Sequence, residues 1–326
     1  MDTFGRVATD LRVSLTDRCN LRCSYCMPPE GLDWMPSPSM LTDDEVVRLV
    51  GVAVALGVTE VRFTGGEPLL RRGLVDIVTR VGLLAPRPLM SLTTNGIGLA
   101  RAAGALKSAG LDRVNVSLDT LDRDRFVELA KRDRLADVIT GLEAAAQAGL
   151  APIKVNALLM RGVNEDEAVA LLHWCLARGY ELRFIEHMPL DAQHAWDRST
   201  MVTGTEILQM LRAEFDLVAD SPAHRGSAPA QTWVVDGGPG RVGVIGSVTQ
   251  PFCGSCDRVR LTADGQIRNC LFATGETDLR TALRAGADDE ALGALLMAAL
   301  WAKKAGHGID DPSFLQPSRP MSAIGG

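Results

Sequence analysis

"LRVSLTDRCNLRCSYCMP", residues 11–28, is the stretch that decides the fold. It opens as a strand: Leu11, Val13 and Leu15 alternate with Arg12, Ser14 and Thr16, and successive strand side chains face opposite sides. It then enters a loop that places Cys19, Cys23 and Cys26 at C-x3-C-x2-C. A structural zinc site takes four ligands, and no fourth Cys or His lies in this loop. Iron–sulfur clusters are also normally held by four thiolates. A cubane on three leaves one iron open to a small molecule.

The strand pattern recurs downstream. "EVRFTG" (60–65), "LMSLTT" (89–94), "RVNVSLD" (113–119), "IKVNALL" (153–159) and "ELRFIEH" (181–187) each read as strands, and helical segments separate them. One helix starts at Thr42, with Glu45 completing a capping box; another takes Asn164 as N-cap with Glu167 three residues on. Six β–α units imply a parallel sheet with right-handed crossovers, either doubly wound or a barrel.

Alternation separates the barrel from the flat sheet. Val61 and Phe63 oppose Arg62 and Thr64; Val114, Val116 and Leu118 oppose Asn115, Ser117 and Asp119; Ile153 and Val155 oppose Lys154 and Asn156; Leu182 and Phe184 oppose Arg183. A doubly wound sheet is covered on both faces and should be apolar on both. Here one face carries Arg12, Arg62, Lys154 and Arg183. Pairing with Asp119, Glu181 or Glu186 accounts for one or two of these cations, too few for the set. The expectation is a wide or open barrel around a polar chamber that holds an anion. Polar motifs cluster where strands end, at "TGGEP" (64–68), "TTNG" (93–96) and "SLD" (117–119), the edge where such folds place their sites. The glycines of "TGGEP" would let a ligand approach bare backbone.

Bulk properties set limits. The chain has 326 residues, 46% hydrophobic, enough for one large α/β domain with an appendage or for two domains. A net charge of −6 and 5% aromatics argue against a nucleic-acid surface. The start, "MDTFGRVATDLRVSL", has no signal-type apolar run, and "ALGALLMAALWA" near residue 291 is too short to span a bilayer. The expectation is a soluble cytosolic protein.

After residue 187 the β–α rhythm stops. A helix is expected from Thr203 with Glu206 as capping partner, a surface loop over 219–230, a hairpin turning at Gly237–Gly240, and helices to about residue 305. A second triplet, Cys253, Cys256 and Cys270, lies in this region, with Arg258 and Arg260 sharing one face of "DRVRL". By spacing alone it is also a zinc site whose fourth ligand is distant, His224 or His307. Cys175 reads as core filling, and His173, His187, His194, His224 and His307 show no ligand spacing and receive no role.

The first triplet, Tyr25 before its third cysteine, and "TGGEP" together resemble the radical S-adenosylmethionine (SAM) superfamily. "QPFCGSCDRVRLTADGQIRNCLF" is similar to the C-terminal motif of the GTP-cyclising family of molybdenum cofactor biosynthesis within it. "VRFTGGEPLLRR", "SLTTNG", "VNVSLD", "RFIEHMP" and the closing Gly325-Gly326 extend that resemblance over nearly the whole chain, with one departure, Gly73, where the family commonly has an acidic residue.

The resemblance implies an α/β fold, an incomplete (βα)6 radical SAM barrel over 1–200 with a C-terminal α+β extension over 201–326 closing the barrel opening. It implies two [4Fe-4S] clusters. Cys19, Cys23 and Cys26 would hold one with SAM; Cys253, Cys256 and Cys270 would hold the other with the substrate. Tyr25, Gly66, Ser117 and Met188 would contact SAM. Arg12, Arg62, Thr93, Lys154, Arg183, Arg258 and Arg260 would bind GTP, and Arg258, Arg260, Gly325 and Gly326 would serve catalysis. It further implies GTP as substrate, a reductant protein, a downstream cyclic pyranopterin monophosphate synthase that takes the product, and a monomer or homodimer with no nucleic-acid or membrane partner. Two other readings remain at this point: a radical SAM peptide-modifying maturase, and a non-enzymatic zinc-stabilised binding module.

Overall fold

A computed structural model of the chain describes residues 1–221 and 225–325, so His224 and Gly326 lie outside the described residues. The six expected strands form at the expected places: β1 (Asp10–Ser14), β2 (Glu60–Thr64), β3 (Leu89–Thr94), β4 (Arg113–Ser117), β5 (Ile153–Leu158) and β6 (Glu181–Ile185), parallel and in sequence order. Helices α1 (Asp43–Ala55), α2 (Leu74–Gly82), α3 (Leu99–Ser108), α4 (Arg123–Ala130), α5 (Leu135–Gln147) and α6 (Ala168–Leu176) make the crossovers. Leu11, Val13, Val61, Phe63, Val114, Val116, Leu182 and Phe184 are at most 1% exposed, and they pack in one cluster with Val50, Ile77, Leu106, Leu142 and Leu171 from the helices. The alternation therefore assigns the two faces correctly.

The C-terminal region continues the same sheet. After α7 (Gly204–Arg212) come β7 (Leu217–Ala219), β8 (Gln231–Val235), β9 (Arg241–Ile245), β10 (Arg258–Leu261), β11 (Gln266–Arg268) and β12 (Thr277–Asp278). β9 joins β6 in parallel and β10 joins β1 in parallel, giving a sheet of 12 strands in the order β12-β11-β10-β1-β2-β3-β4-β5-β6-β9-β8-β7. It is an open sheet: its outermost strands, β12 and β7, are not partners. Among the described residues no helix is long and apolar enough to cross a membrane.

Local sequence accounts for some of the helix starts. The Thr42 hydroxyl accepts from the Glu45 N–H at 3.2 Å, and the Glu45 carboxylate accepts from the Thr42 N–H at 2.8 Å; Thr203 and Glu206 repeat the box at α7. Asn164 does not cap as expected. Its carboxamide accepts from Met160 N–H at 2.8 Å and donates to the carbonyls of Asp119 at 2.8 Å and Leu158 at 3.0 Å, and a 3-10 turn, Glu165–Glu167, precedes α6. A fully buried carboxamide that satisfies three backbone groups outcompetes a cap, because leaving those groups unpaired costs more than a cap contributes. Gly73 N-caps α2 with no side chain, and the Asp43 carboxylate stands where its Cβ would project, held by Arg71. Cys175 is fully buried in the core.

Candidate active site

The loops after β1, before β10 and after β11 bring Cys26 of the first triplet and all three cysteines of the second to one chamber. Tyr25, Cys26, Thr93, Ser117 and Met188 line one part of its wall; Cys253, Cys256 and Cys270 line another; Arg12, Arg62, Arg183, Arg258 and Arg260 line it as well. Cys19, Cys23, Gly66, Lys154 and Gly325 are set back from the wall.

The arginines sit side by side. The parallel register places Arg12 opposite Arg62 on β2 and opposite Arg260 on β10, and the antiparallel pairing of β10 with β11 places Arg260 opposite Arg268. Like charges directly opposite across a sheet are destabilising. Arg268 is neutralised by Glu276 at 2.6 Å. Arg12 and Arg62 share one carboxylate, Asp10, at 4.0 and 3.7 Å, and the Nε atoms of Arg12, Arg62 and Arg258 are buried without a partner. Arg183 donates to the neutral carboxamides of Asn156 at 3.0 Å and Asn115 at 2.9 Å. Burial, followed by Arg62 and Arg260, holds Arg12 well below its ordinary value. Burial and Arg62 bring Arg183 to about 10, and burial and Arg258 do the same to Arg260. Such a row stands only beside a compensating anion.

The carboxylates weighed as alternative partners mostly go elsewhere. Glu181 takes Lys154 at 2.9 Å, so that one cation is accounted for inside the protein. Asp119 accepts the Tyr25 hydroxyl at 2.7 Å. Glu186, fully buried, accepts from the N–H groups of Gly204, Val248 and Thr249.

All six triplet thiols are free, and the residues present fit iron–sulfur clusters. Among the described residues no three His, Cys, Asp or Glu converge on a single metal ion. Cluster thiolates bind separate irons, so they stand further apart than the ligands of one tetrahedral zinc. Burial and the charge of Asp119 push the Cys23 thiol well up, and burial and Cys19 push Cys26 up to about 12, so binding iron there releases protons. Burial would raise Cys256 too, but Arg258 and Lys303 outweigh it and bring it down to about 7.

"TGGEP" supports the first triplet from behind. A Cβ on Gly66 would stand 2.4 Å from the carbonyl oxygens of both Asp17 and Arg18. The Gly66 N–H donates to Thr16 at 2.7 Å and the Glu67 N–H to Arg18 at 2.7 Å. What approaches this bare backbone is therefore the turn leading into Cys19. Gly325 is also ordered: with φ +77 and a would-be Cβ 2.7 Å from Thr64 Cγ2, only glycine fits, and its carbonyl accepts from the Arg260 guanidinium.

Glu67 is fully buried beneath that turn, accepting from Leu69 N–H at 2.9 Å, Asn95 N–H at 2.7 Å and Thr94 Oγ1 at 2.7 Å. Burial outweighs these bonds and raises its carboxyl from 4.5 to about 7. The folded state then holds this proton more tightly than the unfolded chain. The contribution to stability is full below pH 4.5 and is lost as pH rises through 7. The apoprotein's stability advantage over Glu67→Gln is expected to fall by about 3 kcal/mol between pH 4 and 8 in urea melts. A pH-independent difference overturns this.

Five contributors had no role in the sequence reading, apart from His307, weighed there only as a distant zinc ligand. Asp10 anchors the arginine row. His187 lines the chamber with both ring nitrogens buried and unpartnered, and His307 lines it with Nε2 unpartnered. Lys303 reaches the Cys256 sulfur, and Arg6 holds the Cys253 carbonyl at 2.8 Å. None has a motif; Asp10 beside Arg12 on the same strand was the one available signal.

Two family models match the chain: Radical SAM superfamily over residues 13–175 and Molybdenum Cofactor Synthesis C over 180–309. A protein named GTP 3′,8-cyclase from Streptomyces coelicolor is 67% identical over all of this chain and 96% of its own length. One named GTP 3′,8-cyclase 2 from Mycobacterium tuberculosis H37Rv is 61% identical over all of this chain and 92% of its own. Among solved structures, Streptococcus suis SuiB bound to S-adenosylmethionine superposes with a TM-score of 0.62 at 14% identity, covering 89% of this chain and 68% of SuiB, a likeness of fold. Thus the open parallel sheet with a cysteine loop after its first strand, and the full-length identity, place the chain in the radical SAM superfamily and, within it, in the GTP 3′,8-cyclase family.

Proposed function

We propose that this chain converts GTP to 3′,8-cyclo-7,8-dihydro-GTP, the entry step of molybdenum cofactor biosynthesis. The observation that carries it is the row of Arg12, Arg62 and Arg260 set against the one Asp10 carboxylate, with Arg183 and Arg258 nearby, in a chamber lined by Cys26 and by the whole second triplet.

Cys19, Cys23 and Cys26 would hold a [4Fe-4S] cluster, and Cys253, Cys256 and Cys270 a second one at the substrate. With SAM bound, that first cluster would supply a 5′-deoxyadenosyl radical, the chemistry needed to take the ribose 3′ hydrogen of GTP. The protein's part is placement. Tyr25, Gly66, Ser117 and Met188 seat SAM. Arg12, Arg62, Arg183, Arg258 and Arg260 take the triphosphate, since guanidinium forks suit phosphate oxygens. Thr93 orients the nucleotide from the wall, and Lys154, already paired with Glu181, tunes that side of the chamber. Gly325 brings the tail to Arg260, its carbonyl holding that guanidinium for catalysis, and Gly326, outside the described residues, would serve catalysis with it. Holding ribose and radical source at contact distance converts an encounter into a unimolecular step, and the buried wall excludes water. Residues 1–200 act as the radical-generating part, and 201–326 would add the second cluster and Arg258 and Arg260 to the triphosphate site. An external protein reductant supplies the electron, and a cyclic pyranopterin monophosphate synthase consumes the product.

The test is anaerobic reconstitution with iron and sulfide, then SAM, reductant and GTP. Methionine, 5′-deoxyadenosine and a cyclised nucleotide are expected together. SAM cleavage without a cyclised nucleotide sinks the substrate assignment.

A further inference from the structure

We propose that Lys303 is a positioning residue for the second cluster, and that its ammonium raises that cluster's reduction potential through the Cys256 sulfur. The inference rests on the two-cluster reading above. Lys303 is 6% exposed, and Nζ lies 3.0 Å from the Cys256 carbonyl, 2.8 Å from the Arg258 carbonyl and 3.4 Å from Cys256 Sγ. An ammonium has three N–H donors, so all are engaged here and none is left for a substrate. Two of these acceptors are neutral carbonyls. Among the described residues no carboxylate lies within ion-pair distance of Nζ. A buried cation needs an anion, and the Cys256 sulfur is the one acceptor present that carries charge.

The arrangement is built. Arg258 Nη2 lies 3.2 Å from the same sulfur, so two cationic donors converge on it. Arg6 locks the segment that carries Lys303: its guanidinium donates to the carbonyls of Lys304 at 2.6 Å, Ala305 at 3.1 Å and Cys253 at 2.8 Å, and its Nε pairs with Asp2 at 2.6 Å. The first triplet is treated differently. Cys19 Sγ receives only neutral donors, the Leu21 N–H at 3.5 Å and the Asn95 carboxamide at 3.8 Å. Hydrogen bonds and positive charge at cluster sulfurs favour the reduced, more negative state, so the second cluster is the more easily reduced of the two.

The experiment is a redox titration followed by electron paramagnetic resonance, on protein reconstituted without oxygen. A Cys19→Ser, Cys23→Ser, Cys26→Ser background isolates the second signal. Wild type is first assayed for iron; about eight per chain supports two cubanes, whereas about four with no second signal removes the two-cluster reading and this inference with it. With that reading intact, Lys303→Gln is expected to keep its iron and to shift the second midpoint negative by a tenfold change in the one-electron equilibrium, about 59 mV. Lys303→Arg, which keeps the charge, is expected to stay near wild type. An unchanged midpoint in Lys303→Gln at full iron overturns the proposal. If Lys303→Gln loses the iron, Lys303→Arg decides: iron regained at the wild-type midpoint supports a role for charge, and loss in both variants overturns it in favour of packing.

Discussion

Arg12→Leu is expected to make the apoprotein more stable while weakening triphosphate binding at least a hundredfold. The two effects share one cause. Arg12 stands between Arg62 and Arg260 in register, 8% exposed, with Asp10 at 4.0 Å as its nearest carboxylate. Replacing a buried charge by an apolar side chain of similar volume removes that repulsion, and such replacements are often neutral or stabilising. Asp10 keeps Arg62 at 3.7 Å. The urea midpoint should rise by the equivalent of about 1 kcal/mol. The bound nucleotide would lose a buried charge-assisted contact, about 3 kcal/mol, which is the hundredfold. Calorimetry with GTP on the cluster-loaded protein and denaturation of the apoprotein measure the two halves. A destabilised variant that binds GTP normally would mean that the row is structural.

Gly66→Ala is expected to silence SAM cleavage completely. The new methyl would stand 2.4 Å from two backbone carbonyls, Asp17 and Arg18, and a backbone cannot yield as a flexible side chain can. Relief requires breaking the bonds from Gly66 N–H to Thr16 and from Glu67 N–H to Arg18, which fix the turn entering Cys19. Iron per chain should fall by about half, since one cubane of two is lost. Gly254→Ala is the control: it lies inside the second cysteine loop, yet a Cβ there meets nothing within 4 Å. It should retain full iron and activity. Full SAM cleavage in Gly66→Ala would refute the clamp.

The inward cations were legible because a strand's period is two, and one face of each strand was declared by its neighbours. The two capping boxes were legible because both partners lie within four residues. Contacts made at long range were not. Lys303 reaches a thiol 47 residues away, and Asn164 gave up a cap for carbonyls brought to it by folding. Lys154 shows the limit of alternation: it shares a face with Arg12 and Arg62, but the strand next to it supplies Glu181. Likewise "DRVRL" declared its polar face without revealing that it pairs with β1.

That pairing has a consequence for biogenesis. β1 leaves the ribosome about 250 residues ahead of its neighbour β10, with Asp10 opposite Arg258 in the finished sheet. At about 5–20 residues per second, one edge of the nascent sheet stays bare for roughly 12–50 s. A bare edge invites pairing with another chain, so this interval is when the polypeptide is most exposed to aggregation and to chaperone capture.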